Sequence, residues 1–70
     1  MPIVVAPENT ELRVIKLLVD EKTKRHLENL GILINATLSI IAKHDGNVII
    51  KIKDGRLALN RDIAVKIFVA

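Results

Sequence analysis

Val48-Ile49-Ile50-Lys51-Ile52-Lys53-Asp54-Gly55-Arg56-Leu57-Ala58-Leu59-Asn60-Arg61-Asp62-Ile63-Ala64-Val65-Lys66-Ile67-Phe68-Val69 is the stretch whose reading decides the fold. Val48, Ile50 and Ile52 alternate with Lys51 and Lys53, the period-two pattern of a strand with one wet face. Asp54-Gly55 offers a tight turn, and Leu57 and Leu59 carry a second short strand. Asn60-Arg61-Asp62 is a polar break, with Ile63, Ala64, Ile67 and Val69 beyond it. Strand, turn, strand, short helical corner and final strand is how a very small β-barrel closes on itself. No residue of the stretch is a nucleophile with a base beside it. The tail therefore predicts a barrel that works by being bound.

Working outward, seventy residues make one domain, 1–70, near the size at which apolar burial and conformational entropy almost cancel. Without Cys, neither disulfides nor thiolate-held metal can add stability. Half the residues are hydrophobic, nearly all Ile, Leu, Val and Ala. That exceeds what one small barrel needs to hide, and excess apolar surface points to a partner or to self-association. The longest apolar run, Gly31 to Ala36, is interrupted by Asn35 and is too short to span a bilayer. Ile3-Val4-Val5 lacks a basic flank and is broken by Pro7-Glu8-Asn9, unlike a secretory signal. The expectation is a soluble, cytoplasmic chain. Net charge is +3, but eleven basic residues are interleaved with eight acidic ones. Phe68 is the only aromatic residue, so the stacking platforms of single-strand nucleic-acid binders are missing.

Leu12 to Val19 is rich in β-formers but breaks strict alternation, since Arg13 and Lys16 have opposite parity. A bulge near Val14-Ile15 reconciles them and supplies the bend a small barrel needs. Pro7-Glu8-Asn9-Thr10 reads as a turn with Asn9 left-handed. Asp20 to Leu30 reads as a helix: Asp20 caps it, Glu21 suits its first turn, and Gly31 stops it. Thr23, Leu27 and Leu30 form a narrow stripe facing the barrel. The rest is charged, with Glu21–Arg25 and Lys24–Glu28 spaced as ion pairs. From Ala36 to Lys43, Leu38, Ile40 and Ala42 read as inward, and Thr37, Ser39 and Lys43 as outward. His44-Asp45-Gly46-Asn47 is a hairpin turn, with Gly46 and Asn47 suited to positive φ. Ile41 and Ile49 then point away from the core, as one apolar patch.

Three of these segments together resemble the FeoA family, ferrous iron transport protein A. They are Arg25-His26-Leu27-Glu28-Asn29-Leu30-Gly31, then Val48 to Gly55, then Arg56-Leu57-Ala58-Leu59-Asn60 with Ala64, Ile67 and Val69. The resemblance covers essentially the whole chain and implies a mainly β, SH3-like barrel of about five strands. One helix follows the first strand, and a short helical turn lies near the C-terminus. Relatives usually carry a Pro-Gly turn where this chain has Ile34-Asn35; Asn can hold the left-handed position in place of Gly. The resemblance also implies a cytoplasmic accessory role beside the ferrous-iron permease, docking on that protein's GTPase-like part. It implies transition-metal binding as well, of ferrous iron or another transition metal, while the residues themselves lead to the expectation of no cofactor. The similar C-terminal barrel of metal-dependent repressors gives an alternative: a stand-alone regulatory barrel that binds a protein or peptide.

The residues themselves offer little chemistry. No triad, paired-carboxylate pocket or phosphate-cradling Gly-rich loop is present, and a barrel filled by its own side chains leaves no substrate cavity. A non-enzymatic protein without catalytic or cofactor-binding residues is expected. Weak metal-ligand candidates are His26, His44 and Asp45, with Glu28 and Asp54 as further donors, but no His-x-x-x-His or Glu-x-x-His pair assembles them. The expected docking surface is either the helix face of Lys22, Arg25, Glu28 and Asn29, or an apolar patch near Ile41, Ile49 and Phe68. Edge strands of so small a barrel can also pair between copies, giving a homo-oligomer.

Overall fold

A computed structural model describes residues 1–53 and 55–70; Asp54, expected in the turn before Gly55, lies outside the described residues. Five strands, Glu11–Leu17 (β1), Thr37–His44 (β2), Asn47–Ile52 (β3), Gly55–Leu59 (β4) and Ile67–Val69 (β5), pair antiparallel in the order β4-β3-β2-β1-β5. Helix Glu21–Asn29 (α1) follows β1, helix Arg61–Ala64 (α2) precedes β5, and a 3-10 turn occupies Ile3–Val5. This is the small, mainly β barrel that the tail pattern predicts, in the SH3-like form that the family resemblance implies.

Two bulges shape the barrel. β1 pairs with β2 through Glu11, Leu12 and Arg13, then with β5 through Val14, Lys16 and Leu17, and the register slips between Val14 and Lys16. The extra residue is Ile15, which is 42% exposed, whereas Val14 is fully buried. This is the expected bulge. It lets both Arg13 and Lys16 reach water and turns the strand from one partner to the next.

The second bulge corrects the expected alternation of β2. The register slips between Ile40 and Ala42, leaving Ile41 extra. Ala42 stands opposite exposed Ile49, and Lys43 opposite Val48, which is fully buried. Directly opposed residues of an antiparallel pair share a face, so Ala42 is outward and Lys43 is on the core side, the reverse of the sequence expectation. The N-terminal segment accounts for this. Asn9 N–H donates to the Ile40 carbonyl at 2.8 Å, and the Lys43 ammonium donates to the Ala6 carbonyl. Lys43 lays its aliphatic stem along the core margin and spends its charge on a backbone acceptor.

The hairpin tip shows a smaller correction. Positive φ falls at Asp45 (53°) and Gly46 (84°), the pair that a two-residue type I′ connection requires. Asn47, expected at that position, begins β3, and its side-chain oxygen accepts from the Arg61 backbone N–H at 3.2 Å. Elsewhere the left-handed positions fall where expected, at Asn9 (58°), Gly31 (100°) and Asn35 (75°).

α1 begins as the sequence predicts, with Asp20 Oδ1 accepting from Thr23 N–H at 2.8 Å. The hydrogen bonds from Thr23 hold the Asp20 carboxyl below its ordinary value. Glu21–Arg25 and Lys24–Glu28 are not formed: among the described residues, the contact within 4.0 Å between a basic and an acidic side chain is His44–Asp45, an ion pair only when His44 is protonated. Exposed long side chains gain too little from pairing to offset the entropy of holding one geometry. α2 is capped by Asn60, whose Oδ1 accepts from Ile63 N–H at 3.0 Å. Among the described residues the buried core is wholly apolar, with Ile3, Val14, Ile32, Ile40, Val48, Ile50, Ile67 and Val69 all fully buried.

Candidate docking surface

α1 lies beside the free edge of β4. Leu27 anchors the helix in the core, and Thr23 and Leu30 are half-buried. Between the helix and the β4–α2 segment a concavity of about 370 Å³ opens, lined by Thr23, His26, Leu27, Leu30, Leu57, Ala58, Leu59, Asn60 and Ile63. Among the described residues β4 pairs with β3 alone, so its other edge is left without a strand partner, and Leu57, Ala58 and Leu59 of that strand line the cleft.

Two of the four helix-face candidates stand next to this cleft, although none of the four lines it. Lys22 and Asn29 stand four residues before and three after His26, on one helical stripe that rims it, and both are exposed. Arg25 (exposed) and Glu28 (half-buried) share the adjacent stripe. The second candidate group is brought together only in part: Ile41, the extra residue beside the Ala42–Ile49 pair, and Ile49 stand on neighbouring strands, whereas Phe68 stands apart. Ile49 is 41% exposed on the outer face of β3, with Ala42 on one side and Ala58 on the other. Half-buried Ile41 is the bulge residue and lines a different concavity, with Asn9, Glu11 and Ser39. Phe68, also half-buried, pairs with Lys16 on β5, with β2 and β1 between it and Ile49. Ala58 joins Ile49 to the cleft and was not among the expected residues. Its signal was present in Leu57-Ala58-Leu59, where a small outward residue sits between two inward leucines.

The metal candidates are also separate. His44 Nε2 lies 3.3 Å from Asp45 Oδ2 at the hairpin tip, both side chains almost fully exposed. His26 lines the cleft on α1. Among the described residues no group of three or more His, Cys, Asp or Glu converges. A transition-metal centre needs three or four such donors, so this donor set does not make up a resident metal site. No helix among the described residues is long and apolar enough to cross a membrane.

The FeoA domain model matches residues 1–70. The chain belongs to the FeoA family. Its fold superposes on an iron uptake regulatory protein (FeoA) with a TM-score of 0.88 at 20% identity, over 99% of this chain and 93% of that one. It superposes on the FeoA protein of Chlorobium tepidum with a TM-score of 0.86 at 18% identity, over 99% and 68% of the two chains. A manganese-dependent transcriptional repressor contains the same fold, with a TM-score of 0.88 at 18% identity, over 99% of this chain and 39% of the repressor. At such identities the likeness is one of fold. No curated protein matches the chain in sequence.

Proposed function

We propose that this FeoA-family chain is a non-enzymatic, cytoplasmic accessory protein of ferrous iron uptake, and that it docks on the GTPase-like part of the ferrous-iron permease. The family match across all seventy residues carries this reading. The geometry supports docking in particular. β4 offers an open strand edge beside an apolar cleft, with Leu30, Leu57 and Ile63 half-buried in its walls. A partner segment there would gain main-chain hydrogen bonds from the edge and side-chain burial from the cleft. Lys22 and Asn29 would form the polar rim.

The test is a binding titration against the purified cytoplasmic domain of the permease. Ala58→Arg blocks the cleft mouth from an exposed position and should weaken binding by at least about tenfold, with the thermal transition unchanged. Ile49→Asp should weaken it less. Equal binding by wild type and Ala58→Arg would move the docking surface elsewhere, and no binding at high micromolar concentration would remove the permease as partner. The fold shared with a metal-dependent repressor favours one second reading, a regulatory barrel that takes a protein or peptide in this same cleft. Ala58→Arg-sensitive binding to such a repressor, with none to the permease domain, would select it.

A further inference from the structure

The outer face of the sheet, which meets the cleft at Ala58, carries an unbalanced charge arrangement two residues further along β4. One row crosses four strands in register: Glu11 on β1, Ser39 on β2, Lys51 on β3 and Arg56 on β4. Lys51 and Arg56 are directly opposed like charges, an arrangement that destabilises a sheet. The residue on the other side of Lys51 is Ser39, not a carboxylate. Glu11 is two strand spacings away, roughly 10 Å, about one Debye length at physiological salt, so it does little to offset the pair. Lys53 adds a third cation to the same open groove, of about 540 Å³, whose walls also hold Thr37 and Ile41. Among the described residues no carboxylate lies within 4.0 Å of any of the three cations. Even counting Asp54 by sequence, positions 51 to 56 hold three positive charges against one negative.

We propose that this groove is a second docking surface, which binds an extended acidic segment of a partner protein across β3 and β4. The chemistry favours that occupant. A small anion needs an enclosed site with buried donors, whereas these cations are all exposed on an open face. Nucleic acid would need stacking platforms, and the lone Phe68 lies on β5. Carboxylates laid between Lys51 and Arg56 convert a repulsive row into an alternating one, and Ser39 and Thr37 donate hydroxyl hydrogen bonds beside them. Glu11 at the far end repels acid, so the segment's negative charge is confined to the β3–β4 half.

The groove makes opposite demands on stability and binding, and that gives a clean experiment. Lys51→Glu places a carboxylate opposite Arg56, so it should raise the melting temperature by about 2–4 °C while weakening the site. The probe is a fluorescent peptide of about eight residues alternating Glu with Thr, long enough to cross four strands at roughly 4.8 Å spacing. Its Gln-for-Glu twin and a single-stranded DNA oligonucleotide serve as comparisons. The expected result is binding of the acidic peptide alone, weakened about tenfold by Lys51→Glu and again between about 0.05 M and about 0.3 M salt. Lys24→Glu on α1 should leave that binding unchanged. Failure of the acidic peptide to bind, equal binding by Lys51→Glu, or preference for the oligonucleotide would each overturn the proposal. The assay contains no permease domain and is read through Lys51, which does not line the cleft, so its failure is distinguishable from failure of the permease reading.

Discussion

β1 and β2 each carry one extra residue, yet the two bulges differ in how openly the sequence declares them. At Ile15, the polar neighbours Arg13 and Lys16 have opposite parity, and no regular strand lets both reach water. At Ile41, the residues that change face are Ala42 and Lys43. Ala42 is small enough for either side, and Lys43 has a stem that can lie on apolar surface while its ammonium finds an acceptor. A bulge is legible when it resolves a conflict between polar residues. It is hidden when the residues it flips are tolerant of both faces.

The sharpest way to test the pairing of the two bulges is to truncate the buried residue preceding each. Ile40 is fully buried, and its carbonyl receives Asn9 N–H at 2.8 Å, so it joins core, bulge and N-terminal segment. Ile40→Ala should cost about 3–4 kcal/mol, enough to leave a chain of this length largely unfolded by urea or heat criteria. Val14→Ala removes less hydrocarbon and should cost less, by something near the ~0.8 kcal/mol of one buried methylene. If Val14→Ala proves the more damaging, the β1 bulge is the true corner of the barrel and the β2 bulge a local adjustment.

Next in size is Gly46, where the chain turns just beyond the β2 bulge. Its φ of +84° suits glycine, and an added Cβ would lie 2.7 Å from Arg61 Cδ and 2.8 Å from Arg61 Cγ. Gly46→Ala should cost about 1–2 kcal/mol for the left-handed backbone alone, and lower the melting temperature by several degrees. Adding Arg61→Ala should recover only the steric part. Full recovery would show that the left-handed turn is not what holds β2 and β3 in register.

Much of this molecule can be read from its residues because period, cap and turn signals agree. The Val48–Ile52 alternation, the Asp20 cap, and the left-handed Asn9, Gly31 and Asn35 all stand where local chemistry puts them. Long-range placement is what a one-dimensional pattern leaves out. Ile3 reads as part of an unremarkable apolar run, yet it is fully buried in the barrel core. Ile41, Ile49 and Phe68 look like one patch when written in a line. The strand order β4-β3-β2-β1-β5 keeps Ile41 on the strand next to Ile49 but sets Phe68 two strands further away, and it brings Ala58 beside Ile49. The opposed Lys51 and Arg56 are likewise a product of register, invisible until β3 and β4 are aligned.

A finer comparison sets the two lysines that follow the bulges against each other. Lys16 is exposed, whereas Lys43 is half-buried and donates to the Ala6 carbonyl. Lys43→Ala should cost about 1 kcal/mol, since it leaves that acceptor without its donor, while Lys16→Ala should stay within about 0.5 kcal/mol. Lys43→Met separates packing from bonding. It keeps an aliphatic stem but no ammonium, so a stability as low as that of Lys43→Ala assigns the loss to the hydrogen bond, and a recovery assigns it to the stem.

The smallest effect lies where β1 gives way to α1, and pH exposes it. The Asp20 carboxyl is held below its ordinary value by the hydrogen bonds from Thr23. A carboxylate with a lowered folded-state pKa contributes stability that is fully present above its unfolded value and is lost as pH falls through the folded value. Denaturant midpoints measured from neutral pH down to about pH 3 should therefore fall less steeply for Asp20→Asn than for the native chain. At neutral pH the two should nearly coincide, because Asn also caps a helix well. Asp20→Ala should lie below both at neutral pH. The Gly46→Ala defect involves no titrating group and should be the same at both ends of the range, so the exits from β1 and β2 differ in kind: one is held by an ionised cap, the other by the shape of a turn. Parallel acid limbs for the native chain and Asp20→Asn would erase that distinction.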